Sequence, residues 1–200
     1  MRAHGVESVA ALGGTGARPE LLQRLSSPGV ETVTLCLDND DAGRSAAART
    51  VEQAARAATC PTLLVVDPKR LGSAKDPDAY VLTRGVAAWR ALLEERECAV
   101  AWRACEHLAG VSEASARETR RDALARVGRW LGSLPPRFAL EQEDAVQAAA
   151  ERSGYSADAV QRAFRARYWP EPQRIRSGRA ARGSSSVAQE HDPPDVSPAF

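Results

Sequence analysis

Two aspartates, Asp38 and Asp40, directly follow a short apolar stretch in this chain of 200 residues. Residues 32–37 are apolar or β-branched, which predicts a strand buried on both faces. In an extended chain the side chains at i and i+2 lie on one face, so these carboxylates repel each other unless a cation lies between them. Hard cations such as Mg²⁺ take oxygen ligands. The spacing therefore predicts a divalent-metal site, and a solvated turn or a helix cap is the alternative.

A second acidic pair occurs after the next apolar run, in the sequence Asp76-Pro77-Asp78. Pro77 fixes the turn and restrains Asp76 to an extended conformation. If this loop leaves the same carboxyl edge of a parallel sheet as Asp40, both pairs contribute to one acidic cluster. The alternative role for Asp78 is to cap the following helix. The loop also carries basic residues that either meet phosphates or remain solvated, namely Lys69, Arg70 and Lys75.

Alternating strands and helices have to position these acidic segments. The predicted elements are a strand at 8–14, a helix at 20–25, a strand at 32–37, an alanine-rich helix at 42–58 and a strand at 62–66. The glycines that end the first strand give a turn at which backbone either approaches a phosphate or simply reverses. This order of elements predicts a parallel sheet with right-handed crossovers, and therefore an α/β fold.

The second half of the chain is helical in pattern. The predicted helices cover 86–105, a stretch from a cap at Ser112 to Leu131, 141–152, and 157–168. The basic residues of the second helix alternate with acidic ones, which indicates a solvated face, with a nucleic-acid surface as the alternative. From Pro170 onward the chain is rich in Pro, Ser, Gly and Arg, which predicts a disordered tail whose arginines, at 174, 176, 179 and 182, could bind polyanions weakly.

Composition narrows the class of protein further. The net charge is +1, so any contact with nucleic acid has to be local. No run approaches the ~20 apolar residues of a membrane span, and no apolar signal segment opens the chain, so we expect a cytoplasmic protein without a membrane partner. None of the four cysteines forms a Cys-x-x-Cys pair, so a structural zinc site is not indicated.

Three segments, in this order and spacing, resemble the TOPRIM domain of bacterial replicative DNA primases and their phage or plasmid relatives. They are Val-Ala-Ala-Leu-Gly-Gly-Thr at 9–15, Leu-Asp-Asn-Asp-Asp-Ala-Gly-Arg-Ser-Ala-Ala at 37–47, and Lys-Asp-Pro-Asp-Ala-Tyr-Val at 75–81 followed by Gly85. The resemblance implies a partial TOPRIM domain at 1–95 with a Rossmann-like parallel sheet, a small all-α subdomain at 96–169, and the tail at 170–200.

The resemblance implies DNA primase activity, a metal-dependent nucleotidyl transfer. Such primases are nucleotidyltransferases of DNA replication that make RNA primers from ribonucleotides on a single-stranded DNA template, often beside a replicative helicase. Their acidic residues hold Mg²⁺ or Mn²⁺. By match to the motifs, Asp38 and Asp40 are catalytic. The implied metal ligands are Asp38, Asp40, Asp76 and Asp78, and the implied phosphate or nucleotide contacts are Gly43, Arg44 and Lys75.

The chain departs from that family at its start. A family strand that ends in a glutamate, acting as acid/base or metal residue, belongs just upstream of His4 and is absent; Glu7 and Glu31 precede their strands. The zinc-binding domain and the basic part of the polymerase domain are also absent from this sequence. We therefore expect a carboxyl-terminal piece of a primase core that is inactive alone, with an exposed sheet edge beside the strand at 32–37.

Several alternatives remain open at this point. One is a non-catalytic metal- or nucleic-acid-binding remnant, and another is a different TOPRIM enzyme, such as a nuclease or topoisomerase. A haloacid-dehalogenase phosphatase also places Asp-x-Asp after a strand, but it favours Thr or Val at the position that Ala42 occupies. A response-regulator receiver would use a lone phosphoacceptor aspartate and a later lysine.

Overall fold

The structure of this protein is a computed structural model that describes residues 9–10, 17–26 and 29–169. In these residues the strands are β1 (Thr32–Leu35), β2 (Thr62–Val65) and β3 (Glu97–Cys98). The helices are α1 (Pro19–Leu25), α2 (Asp41–Ala54), α3 (Pro77–Glu94), α4 (Ala99–His107), α5 (Arg117–Gly132), α6 (Ala139–Ser153) and α7 (Ala157–Arg167). The predicted α/β class is confirmed. The predicted strand at 8–14 and the predicted tail at 170–200 lie largely or wholly outside the described residues.

The described sheet has the order β1-β2-β3 and is mixed. Strands β1 and β2 are parallel, with Thr32 opposite Thr62, as the strand-helix-strand pattern predicts. Strand β3 is antiparallel to β2, with Glu97 opposite Val65. The physical reason is that the chain returns from α3 to the carboxyl end of β2. Within α3, Gly85 has a φ of 81°, so the helix is kinked there before it continues to Glu94.

The main hydrophobic core lies on one face of the sheet. Leu35 of β1 and Val65 of β2 belong to the same cluster of buried side chains as Trp102 of α4 and Phe164 of α7. The opposite face carries a smaller cluster in which Trp89 of α3 is buried. The large core thus crosses residue 95, where the sequence predicts a domain boundary, and that boundary stays a prediction.

The helical half differs from the sequence-based expectation in two places. The single helix predicted at 86–105 is divided, because α3 ends at Glu94 and the chain pairs with the sheet at β3 before α4 begins. The predicted cap at Ser112 is also wrong. The Ser112 N–H donates to the Ser115 hydroxyl at 3.0 Å within a turn, and α5 starts only at Arg117. In the part of the chain that the structure describes, every helix is too short or too polar to cross a membrane.

Candidate metal and nucleotide site

The first acidic loop joins β1 to the amino terminus of α2. Asp40 is the N-cap of α2, and its Oδ1 accepts a hydrogen bond from the backbone N–H of Gly43 at 2.7 Å. Asp38 lies two residues earlier and is exposed. A carboxylate is favoured at a helix N-terminus because the helix dipole is positive there. One oxygen of Asp40 is therefore held by the helix, and its other oxygen keeps the lone pairs that a cation could use.

Gly43 is required by the close packing of α2 on the loop. A Cβ at this position would lie 2.1 Å from the Asp38 carbonyl oxygen, far inside any permitted contact. Gly43 is buried, and its N–H serves the Asp40 cap. The Asp-x-Asp-x-x-Gly pattern is thus one packing unit, in which the backbone of Asp38 lies against Gly43 and the side chain of Asp40 caps α2.

The second acidic loop ends in the amino terminus of α3. Asp76 is the N-cap, and its Oδ1 accepts from the Ala79 N–H at 2.7 Å. The sequence-based alternative that Asp78 caps this helix is wrong, because Pro77 occupies the first helical position, where proline is well suited. Asp78 therefore lies inside the first turn of α3 and is exposed.

Asn39 holds the two acidic loops together. Its backbone N–H donates to the Lys75 carbonyl oxygen at 2.8 Å. Its side-chain Nδ2 donates to the carbonyl oxygens of Gly72 at 2.8 Å and Ala74 at 3.4 Å. The residue between Asp38 and Asp40 is thus bonded to the residues just before Asp76. Sequence reasoning missed this role of Asn39, whose signal was an amide with both donor and acceptor groups between two acids.

The acidic side chains form only part of a metal site. In the residues that the structure describes, no three His, Cys, Asp or Glu side chains are close enough to hold a metal ion together. The donor chemistry nevertheless fits a hard cation, since Asp38, Asp40, Asp76 and Asp78 supply only oxygen ligands. Mg²⁺ is commonly bound by one or two carboxylates, with water and substrate phosphates completing the shell. The arrangement fits such a site better than it fits a closed protein cage.

Arg44 is one of the three residues implied as phosphate contacts, and its side chain pairs with two carboxylates. Nη1 lies 3.4 Å from Asp67 Oδ1, and Nη2 contacts Glu106 Oε1 of α4. The Arg44 side chain is only 17 % exposed, so it connects α2 to the end of β2 and to α4. Neither Asp67 nor Glu106 was indicated by the sequence, because these ion pairs depend on tertiary packing. A phosphate contact by Arg44 stays a prediction.

Gly43 and Lys75 are the other two implied phosphate contacts, and they differ in which of their groups can bind a phosphate. The Gly43 N–H is used by the Asp40 cap, and the Arg44 N–H donates to the Asp40 carbonyl oxygen at 3.0 Å. Phosphate would therefore have to compete for these amides. Lys75 is exposed, and its backbone carbonyl accepts from the Asn39 N–H, which places the Lys75 backbone beside the first acidic loop.

Two neighbouring groups have shifted pKa values that report the electrostatics around the loops. Burial, with the nearby Asp38 carboxylate as a second cause, raises the pKa of the Cys36 thiol to about 12. Burial also raises the pKa of Glu97 in β3, and the negative charges of Asp67 and Glu106 add to that rise. Burial is the larger cause of both shifts, and the positive charge of Arg70 partly opposes the rise at Glu97.

Comparison with known proteins gives a consistent result. Residues 1–81 match the family model described as Toprim-like, and TOPRIM domains generally bind divalent metal ions. The chain is similar to the crystal structure of a DNA primase domain from Pseudomonas aeruginosa, with a TM-score of 0.55 and 22 % sequence identity. That similarity covers 74 % of this chain and 45 % of that chain, so this protein spans less than half of the solved domain.

No curated protein matches this chain. The family match covers the residues of both acidic loops, and the structural match covers more of the chain than residues 1–81. The amino-terminal part of this chain is thus similar in sequence to the Toprim-like family, and the chain shares its fold with that primase domain.

Proposed function

We propose that this chain is a primase-type TOPRIM module that supports the synthesis of RNA primers on single-stranded DNA by metal-dependent nucleotidyl transfer. The observation that carries the proposal is the bonding of Asn39 to Gly72, Ala74 and Lys75. These bonds join the loop that carries Asp38 and Asp40 to the loop that ends at Asp76, and they support the proposal that both acidic pairs serve one site. A single aspartate pair would equally fit an ordinary helix cap.

The proposed ligands of Mg²⁺ or Mn²⁺ are Asp38, Asp40, Asp76 and Asp78. The ion, when bound, supplies charge neutralisation to nucleotide phosphates. The chain's own part is to hold the carboxylates in place. The caps fix Asp40 and Asp76, which lowers the entropy cost of binding an ion. Lys75, exposed beside the loops, is the proposed contact for a phosphate.

The proposed substrates are ribonucleotides and a single-stranded DNA template, and the proposed partner is a replicative helicase. This chain spans 45 % of the solved primase domain. We therefore expect little or no primer synthesis from this chain by itself, and we expect binding of the divalent ion to be the measurable part of its function.

Calorimetric titration with Mn²⁺ tests the metal site. The test variant is Asp38→Asn/Asp40→Asn, because asparagine still caps a helix and so keeps α2 intact while two charges are removed. The matched control is Asp122→Asn/Asp158→Asn, which removes two exposed carboxylates from α5 and α7. We expect the first variant to bind Mn²⁺ at least about tenfold more weakly, since a tenfold loss corresponds to only ~1.4 kcal/mol. Equal heats in the wild type and in the first variant would show that Asp38 and Asp40 do not bind the ion.

A non-catalytic metal-binding module is the second candidate, and one observation favours it. Asp40 and Asp76 already serve as helix caps, and no three acidic side chains form a cluster in the described residues. A primer assay with single-stranded template, ribonucleotides and Mn²⁺ separates the two candidates. RNA products that disappear in Asp38→Asn/Asp40→Asn would support the catalytic function. Metal binding without products, even after the remaining segments of a primase core are added in trans, would support the non-catalytic one.

A further inference from the structure

Two ion pairs join α2 to α4, and they lie at different distances from the first acidic loop. Arg44, about one helical turn after the Asp40 cap, contacts Glu106. Further along α2, Glu52 pairs with Arg103, whose Nε lies 3.1 Å from Glu52 Oε1. At 1.5 Å per residue the two attachment points on α2 are about 12 Å apart. The first pair is therefore next to the cap of the acidic loop, and the second pair is distant from it.

Arg44 also contacts the segment that leads to the second acidic loop. Its Nη1 lies 3.4 Å from Asp67 Oδ1. The same Asp67 oxygen accepts a hydrogen bond from the Lys69 N–H at 2.9 Å, at the start of the short 3-10 helix Pro68–Leu71. From this helix the chain continues to the cap at Asp76. Arg44 thus connects the amino terminus of α2 to the start of the segment that carries the second acidic pair.

The ion pairs of Arg44 are partly shielded from water. The side chains of Arg44, Asp67 and Glu106 are 17, 24 and 21 % exposed, whereas that of Glu52 is 38 % exposed. The planar guanidinium carries five N–H donors in a fixed arrangement, so it holds two carboxylates in one geometry. Release of Arg44 to a phosphate would leave two partly buried carboxylates without the arginine, which is unfavourable. These contacts favour a positioning role for Arg44 over contact with a phosphate.

We propose that Arg44 and Glu106 are positioning residues of the metal site. Glu106 holds Arg44, and Arg44 holds the amino terminus of α2, from which the first acidic loop is positioned. The inference rests on the proposed function, because the ion and its aspartate ligands are those proposed above.

Gly43 connects this ion pair to the proposed ligands. It directly precedes Arg44, and a Cβ at Gly43 would lie 2.1 Å from the Asp38 carbonyl oxygen. The Gly43 N–H also donates to Asp40 Oδ1 at 2.7 Å. A shift of α2 at Arg44 would therefore disturb the backbone of Asp38 and the side chain of Asp40 together. Because Glu106 belongs to α4, the second half of the chain supports a site whose ligands all lie in the first half.

Calorimetric titration of the full chain with Mn²⁺ tests the inference, using two variants that change the charge in opposite directions. Arg44→Met removes a positive charge and Glu106→Gln removes a negative charge, and each breaks the same ion pair. If the pair contributed only charge, Arg44→Met would bind Mn²⁺ more tightly and Glu106→Gln would bind it more weakly. Positioning predicts weaker binding in both variants, by about tenfold, the lower end of the range for residues that orient metal ligands.

The matched control is Glu52→Gln, which breaks the distant ion pair between the same two helices by the same chemical change. Its Mn²⁺ affinity should stay within about twofold of the wild type, because exposed charges more than about 10 Å apart are largely screened. Amide hydrogen exchange without metal gives an independent readout. Exchange at Gly43 should be faster in Glu106→Gln than in the wild type and unchanged in Glu52→Gln.

Circular dichroism establishes that each variant is folded at the temperature of the titration. If Arg44→Met does not fold, Arg44→Lys takes its place. Lysine keeps the charge but lacks the planar fork that holds two carboxylates, so this variant should also bind Mn²⁺ more weakly.

Two results overturn the inference while leaving the proposed function in place, provided that Asp38→Asn/Asp40→Asn abolishes Mn²⁺ binding. One is tighter binding of Mn²⁺ by Arg44→Met, and the other is an equal affinity in Glu106→Gln and Glu52→Gln. If Asp38→Asn/Asp40→Asn binds Mn²⁺ as the wild type does, the proposed function is wrong, and the positioning role is overturned with it.

Discussion

The two acidic loops have the same spacing of aspartates but differ in which aspartate caps a helix. In the first loop the second aspartate, Asp40, is the cap, and in the second loop the first aspartate, Asp76, is the cap. Asp38 therefore lies at the end of a strand, whereas Asp78 lies within a helical turn. The same Asp-x-Asp spacing therefore puts the carboxylates of the two pairs at different positions relative to their helices. The reason is that the cap is the second aspartate in one pair and the first aspartate in the other.

The third residue after each cap shows why the loops differ. It is Gly43 in α2 and Ala79 in α3, and each N–H bonds to its cap at 2.7 Å. At Gly43 the backbone of Asp38 leaves no room for a Cβ, whereas the equivalent position in α3 is occupied by alanine. The first loop is therefore built into the sheet–helix junction, and the second is attached to it through Asn39. Three groups of substitutions can break or sharpen this comparison.

The largest effect is expected for Gly43→Ala. The new methyl group would overlap the Asp38 carbonyl, so we expect about 3 kcal/mol of lost stability, the upper end for forcing extra volume into a packed site. The matched change Ala79→Gly should cost only ~1 kcal/mol, the ordinary helix penalty of glycine. Urea unfolding followed by circular dichroism measures both. If the two losses are equal, the loops are built alike and the comparison is wrong.

An intermediate effect is expected for Asn39→Asp, which keeps the shape of the side chain but removes its N–H donors. Two hydrogen bonds, to the carbonyl oxygens of Gly72 and Ala74, are lost, and we expect a cost of about 2 kcal/mol. The loss should appear as faster amide hydrogen exchange in α3 than in α2. Uniformly faster exchange in both helices would show that Asn39 supports the whole fold and not the attachment of the second loop.

The smallest effect is expected for the caps themselves. Asp40→Ala and Asp76→Ala should each cost about 1 kcal/mol, and Asp40→Asn and Asp76→Asn should restore most of it. Asp38→Ala, in an exposed residue that caps no helix, should change the urea midpoint by much less. Equal losses of stability for Asp38→Ala and Asp40→Ala would mean that helix capping does not distinguish the two aspartates of the first loop.

The sequence predicted the parts of this fold that have strong local patterns. The apolar runs located β1 and β2, and the alanine-rich stretch located α2, to within a few residues. The strand β3 was not predicted from the sequence, because its two residues, Glu97 and Cys98, are too few to show an alternating pattern. The cap at Asp76 could have been inferred from Pro77 at the first helical position. The pairing of Arg44 with Glu106 could not, because nothing local connects residues so far apart.

The shared hydrophobic core has a consequence for how the chain is made. Leu35 and Val65 of the sheet share one buried cluster with Val100 of α4 and Val146 of α6, which are synthesised later. A ribosome-bound chain that ends near residue 95 has α2 but lacks the later helices, so part of the apolar surface of this cluster would be exposed. Such a surface is a target for chaperones and a seed for aggregation. Expression of a shortened protein that lacks the later helices should accordingly yield inclusion bodies instead of an isolated metal-binding domain.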